Sequence, residues 1–257
     1  MKTETSVQPT LEALMAGYVR RQAEAASLGF GLGEGAEVTP YETGPVHPID
    51  AKLAWEESLT ALSYLHISTK AFKAPAGWAH LVAQMEPQVA IALCVGNYPQ
   101  LVRDFHKLLQ HEDLSQLRPR VTPPMNVGPL AKWADEATGF PDSILALAAY
   151  RLTRNFEQAN AVAEFTIPPQ WQPAWENERA ALLWHQGKTE AAIALWRTQT
   201  PSVPVRFNLA MANLFSGRGS VAKPDFEAVM TQLPESSAWH HLAKLYHTLC
   251  VLRANKT

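Results

Sequence analysis

A register of four residue types that returns after 30 positions constrains this chain more than any other feature. Gly187, Ala192, Trp196 and Pro204 are answered by Gly217, Ala222, Phe226 and Pro234, each 30 residues further on. Each position has a physical reason. Glycine takes the positive φ at which one helix stops and the chain turns into the next. The alanine lets two helices approach closely, and the aromatic one turn later fills the space toward the neighbouring pair. The proline is expected to end the second helix, because it cannot continue the backbone ladder. A fixed period of this length predicts stacked helical hairpins, none of which can bury its apolar face alone.

The remainder of the chain supports an all-α class, with no period-two strand pattern. Residues 11–28 place Leu11, Leu14, Met15, Tyr18 and Val19 on one face of an amphipathic helix. Residues 29–48 are rich in Gly, Pro, Thr and Glu without periodicity and read as an extended arm. The organisation expected is therefore an N-terminal helix and arm (1–49) followed by a helical-repeat domain (50–257). Trp55, Leu59 and Leu62 stripe the first helix of that domain. Pro75, Pro87 and Pro99 each open a short helical segment, as proline is tolerated in a first turn. Residues 115–130 carry four prolines. They either separate two halves or form a long crossover; one continuous body is the reading taken here. Helices are then expected around Trp133, over Ser143–Leu152 and Phe156–Phe165, through the repeating pair, and over Ala238–Arg253.

This pattern resembles the tetratricopeptide repeat, whose helix pairs carry a small residue at the turn, then alanine, an aromatic and a closing proline. The segment NERAALLWHQGKTEAAIALW is a good example and FNLAMANLFSGRGSVAKPDFEAVM a fair one. Tyr150, Arg154 and Ala159 keep the same register upstream, 33 residues before Leu183, Gly187 and Ala192, as do Gly96, Leu101 and Phe105. The chain departs from the family in its period, in Arg154 at a turn position, and in Asn213 where the first helix usually has an aromatic. The resemblance implies a right-handed superhelix of antiparallel helix pairs that binds a protein or peptide in a groove lined by first helices. Carried over position by position, that groove comprises Asn177, Ala181, Trp184 and His185, then Phe207, Met211, Leu214 and Phe215. Asn208 and Lys244 fall on two positions that in some members clamp a peptide carboxylate, but Asn177 and Ala181 replace the lysine and asparagine expected beside them. The wall is unusually apolar, so either it binds something apolar or residues 1–49 fold back over it. On this reading Trp184→Ala and Met211→Ala weaken partner binding more than stability.

Other chemistry finds little footing. Gly187-Lys188-Thr189 lacks the upstream glycine and strand of a phosphate loop. His240, His241 and His247 share a helix with Lys244 and have no acid or cysteine to complete a metal set. His106 and His111 are spaced to opposite sides of a helix. No motif calls for a cofactor, and neither catalytic residues nor a metal are expected. A net charge of −2 and a pI near 6.5 give no electrostatic pull toward nucleic acid or an anionic membrane. The start, MKTETSVQPT, lacks the apolar run of a secretory signal, and no apolar run is long enough to span a bilayer. Two unpaired-looking cysteines, Cys94 and Cys250, suit a reducing, cytoplasmic setting. The function expected is a non-catalytic scaffold for a protein or peptide. The alternatives are a homo-oligomeric structural protein, which a strictly monomeric mass would exclude, and a small-molecule or metal-dependent helical enzyme, which stoichiometric bound metal would support.

Overall fold

Three turns with one hydrogen-bonding pattern organise the structure. In this computed structural model residues 48–75, 78, 114 and 128–254 are described, all within the compact unit Pro45–Thr257. The helix and arm expected over 1–47, the segments after Pro87 and Pro99, most of the proline-rich stretch 115–130, and Cys94 lie outside the described residues.

Among the described residues there are nine α-helices. They are α1 (Pro48–Ser63), α2 (Gly128–Glu136), α3 (Asp142–Leu152), α4 (Phe156–Ala163), α5 (Gln172–His185), α6 (Thr189–Thr198), α7 (Val203–Phe215), α8 (Gly219–Gln232) and α9 (Ala238–Ala254). They pack in consecutive pairs: α3 with α4, α5 with α6, α7 with α8. The first helices of successive pairs also touch, α3 with α5, α5 with α7 and α7 with α9.

The turns inside the pairs explain why the register is legible. Arg154, Gly187 and Gly217 take φ values of 62°, 79° and 77°. At each turn the following residue donates to the carbonyl five back: Asn155 to Tyr150, Lys188 to Leu183, Arg218 to Asn213, at 2.8–2.9 Å. The left-handed residue itself donates three back, to Arg151, Trp184 and Leu214. These bonds satisfy carbonyls that a helix end leaves orphaned. Each second helix then begins with the same bond, Ala159 to Asn155, Ala192 to Lys188 and Ala222 to Arg218. All three alanines are completely buried, because the two helices of a pair cross there. Arg154 thus occupies the glycine position, at the conformational cost that a side chain adds in this region.

The two kinds of helix differ in what they bury. The second helices bury one stripe each: Ala159 and Ala163 in α4, Ala192, Ile193 and Trp196 in α6, Ala222, Phe226 and Val229 in α8. Those spacings are one apolar face of a helix whose other face meets water. The first helices are enclosed far more widely. Every residue of α3 from Ser143 to Leu152 is buried, and α7 buries Val203–Val205, Phe207, Asn208 and Ala210–Phe215. Part of that cover over α7 is α1, which packs against both α7 and α9. Tyr64 of this N-terminal segment donates its hydroxyl to the carbonyl of Gln232 at 3.0 Å.

One positional expectation is corrected. Pro204 does not close α6, which ends at Thr198; it sits in the first turn of α7. There its missing N–H has no helical partner to lose. Pro234 does follow the end of α8 at Gln232.

Candidate functional site

The residues expected to line an open groove are mostly inside the protein. Trp184 is 4% exposed, Phe207 and Phe215 1%, and Asn177, Asn208 and Met211 are fully buried. Of the ten positions carried over, Asn208 and Lys244 included, only Lys244 is exposed and His185 partly so. Phe207 lies edge-on to Trp239 at 5.0 Å and to Phe226 at 6.0 Å, with Tyr246 at 6.2 Å. Phe215 meets Tyr246 edge-on at 5.6 Å. The physical reason is simple: α9 and α1 close on α7 from sides that its partner helix α8 does not cover. Burying each such aromatic is worth roughly 1.5–3 kcal/mol. As an exposed concave wall, then, these residues do not come together. They form the core between hairpins.

The structurally equivalent positions solve one packing problem in two ways. Asn177 and Trp196, each 30 residues before Phe207 and Phe226, meet through a hydrogen bond from Trp196 Nε1 to Asn177 Oδ1 at 3.1 Å. Asn208 Nδ2 donates to the same oxygen at 2.8 Å, joining α7 to α5. In the next hairpin two phenyl rings in edge contact replace this polar join.

A buried charged cluster spans the preceding seam, and no sequence motif announced it. Arg151 of α3 points Nε and Nη2 at Glu178 Oε2 of α5, both at 2.9 Å. Its Nη1 donates to Nδ1 of His185 at 3.2 Å, so the imidazole carries its proton on Nε2. Arg151 and Glu178 are 0% and 1% exposed. Burial pushes the Glu178 carboxyl up despite the attraction of Arg151. Burial, with the Arg151 charge second, holds His185 well below the ordinary histidine range. Glu178 Oε1 and His185 Nε2 have no hydrogen-bond partner among the described residues. The signal that could have found the cluster is Arg151 itself, a cation near the end of the otherwise apolar run SILALAAY.

Open space lies elsewhere, where one turn meets the next. A cleft of about 470 Å3 is lined by Trp184, Gly187, Lys188, Thr189, Glu190, Ala191, Phe215 and Ser216. It therefore sits among the end of α5, the start of α6 and the end of α7. Its size falls within the range of small-ligand pockets. Glu190 at its rim is clasped from the following turn by Arg218, Nη1 to Oε2 at 3.2 Å and Nη2 to Oε1 at 3.1 Å. Lys188 and Ala191 are exposed, and Trp184 Nε1 has no hydrogen-bond partner among the described residues.

The histidines of α9 are held separately. His240 Nδ1 lies 3.2 Å from the carbonyl of Met230, and His247 Nε2 lies 3.0 Å from Glu227 Oε1. Among the described residues no three His, Cys, Asp or Glu side chains gather as a metal site would require. His106, His111 and Glu112 are outside the described residues. No described helix is long and apolar enough to cross a membrane, and Cys250 is a buried free thiol. Comparison of the chain with protein-family models, curated proteins and solved structures finds no match.

Proposed function

We propose that this chain is a non-catalytic, tetratricopeptide-like helical-repeat scaffold that binds a segment of a protein or peptide. The observation that carries the repeat reading is the threefold recurrence of one turn, with a left-handed residue and the same two hydrogen bonds at Arg154, Gly187 and Gly217. Repeats joined by such turns stack neighbour on neighbour and leave extended surfaces between successive pairs. With the first-helix aromatics engaged in the core, the surface that fits a partner is the 470 Å3 cleft between the α5–α6 turn and the end of α7. Its rim supplies exposed polar groups for orientation and its floor approaches Trp184 and Phe215, the mixture expected of a recognition site.

A photo-crosslinking residue installed at Lys188, with a second at the exposed Glu164 as control, tests the reading in the source cell. The proposal expects one protein segment to be captured from Lys188 and not from Glu164. Equal capture at both positions, or a captured small metabolite turned over by the purified chain, would refute it.

A further inference from the structure

The first helices meet at three successive seams, and each carries different chemistry. Between α7 and α9 the contact is aromatic, Phe207 against Trp239 and Tyr246. Between α5 and α7 it is a neutral hydrogen bond, Asn208 Nδ2 to Asn177 Oδ1 at 2.8 Å. Between α3 and α5 it is ionic, with Arg151 reaching Glu178 at 2.9 Å and His185 at 3.2 Å. Of these contacts, only the last involve groups that change charge in water between about pH 4 and 8.

The α3–α5 contacts depend on the protonation of one ring. Arginine has N–H donors and no acceptor, so its bond to His185 requires a bare Nδ1. A proton on Nδ1 would set N–H against N–H and cation against cation across 3.2 Å. The other ring nitrogen, Nε2, is closed to solvent and has no hydrogen-bond partner among the described residues. The elements around α5 bring no second charge to the ring. On α3, Asp142 stands at the opposite end from Arg151, and Glu178 Oε2 is engaged by Arg151 itself. Elsewhere on α5, Glu176 accepts from Gln172 and Arg179 is exposed. The acids of α4, Glu157 and Glu164, are exposed, as are Arg154 and Lys188 in the turns. On α6 Glu190 pairs with Arg218 and Arg197 is exposed, and on α7 Arg206 pairs with Asp225. Burial, with the Arg151 charge second, therefore decides the charge of the ring.

We propose that the α3–α5 seam is an acid-sensitive latch, held by Arg151 only while His185 is neutral and released when that ring takes up a proton. In the closed seam Nδ1 is occupied by Arg151 and Nε2 already carries its proton, so uptake requires the seam to part. In the parted seam the imidazole titrates near its ordinary pKa of about 6.5. Proton uptake by the open form alone raises the opening constant about tenfold at pH 5.5 over pH 7.5. The histidine contribution is thus complete above the open-form pKa and lost as pH falls below it. Glu178 acts with the opposite sign, since burial raises its carboxyl and a proton there favours the closed form. What parts is the α3–α4 hairpin, because α5 stays held by α6 and α7. A hairpin of a stack cannot bury its apolar face alone, so its amides exchange once it is released.

The test is hydrogen exchange of the full chain, read by mass spectrometry at pH 7.5, 6.5 and 5.5 and corrected for the intrinsic pH dependence of exchange. His185→Gln is the comparison: its carboxamide oxygen can accept from Arg151 and does not titrate, and Glu178 is the same in both proteins. Relative to the variant, the wild-type opening constant of α3–α4 is expected to rise about tenfold from pH 7.5 to 5.5, and that of α7–α8 by less than about twofold. Equal pH dependence in wild type and variant would overturn the latch. So would an increase of the same size in α7–α8, which marks unfolding of the whole stack. Nitrogen-15 spectra of the labelled histidine rings need no variant and decide the matter should His185→Gln fail to fold. In the folded chain at pH 5.5 the His185 ring is expected to stay neutral with Nδ1 bare, where a free imidazole is about nine-tenths protonated. A His185 ring protonated at pH 5.5 in the folded chain would overturn the proposal.

Discussion

Replacing Arg151 by methionine tests most sharply how the first helices are held together. The substitution removes the three guanidinium contacts at 2.9, 2.9 and 3.2 Å and leaves Glu178 enclosed at 1% exposure. Breaking a buried pair by deleting one partner costs about 3–5 kcal/mol, a fifth or more of the roughly 5–15 kcal/mol by which a domain is stable. That loss depends on pH, and its sign follows from the remaining carboxyl. Glu178 already has its pKa raised by burial, with Arg151 opposing the rise, so deleting Arg151 raises it further. A carboxyl whose folded pKa lies above its unfolded value contributes stability that is present below the unfolded value and lost as pH rises through the folded one. The deficit of Arg151→Met relative to wild type is therefore larger at pH 8 than at pH 5, with a slope of at most about 1.4 kcal/mol per pH unit for one proton. Urea unfolding followed by tryptophan fluorescence at pH 5, 6.5 and 8 measures it. The double variant Arg151→Met, Glu178→Met completes the cycle. With no charge left to desolvate it recovers most of the loss, since an apolar pair in such a place is often neutral or stabilising. A single variant within about 1 kcal/mol of wild type at pH 8, or a double variant as unstable as the single, would refute the reasoning.

The turns and the core give further expectations. An added Cβ at Gly217 meets nothing within 4 Å, so Gly217→Ala isolates the cost of φ +77° and should lower stability by about 1–2 kcal/mol. Arg154→Gly should raise it by a similar or smaller amount, since glycine relieves the strain at φ +62° but gains freedom when unfolded. Thermal unfolding of both variants checks the pair, and equal signs would contradict the equivalence of the turns. Met211→Ala, at a fully buried position, should lose about 2–5 kcal/mol in denaturant unfolding, and Trp184→Ala about 3–5. These losses replace the expectation from sequence that both changes act chiefly on binding. A melting temperature unchanged in either variant would put that side chain back on an open surface.

What could be read from the sequence followed from local physics. The helix expected over Ser143–Leu152 is Asp142–Leu152, and that over Ala238–Arg253 runs to Ala254, because apolar periodicity and turn residues decide such limits. Arg154 could be placed on the glycine position by spacing alone, and it shares the glycine backbone. The fate of the first-helix aromatics could not be placed in that way. Phe207 suits a binding wall or a core equally well until α9 brings Trp239 and Tyr246 to it. That contact depends on how hairpins stack, and no local pattern encodes it. The Arg151–Glu178 pair is hidden for the same reason: 27 residues separate the partners, and only the α3–α5 seam joins them. The cleft too arises from the relation of two turns, although each of its residues stood in view beside Gly187.

The central proposal is that this chain takes a partner between its α5–α6 turn and the end of α7. Ala191→Trp addresses it directly, since Ala191 is exposed on the first turn of α6 and lines the cleft, so the indole fills the space while the core is untouched. Calorimetric titration of the photo-captured segment into wild type and Ala191→Trp is the decisive comparison. The account predicts affinity reduced by at least about tenfold, roughly 1.4 kcal/mol, at a melting temperature within a few degrees of wild type. Affinity unchanged in a folded Ala191→Trp variant would contradict it.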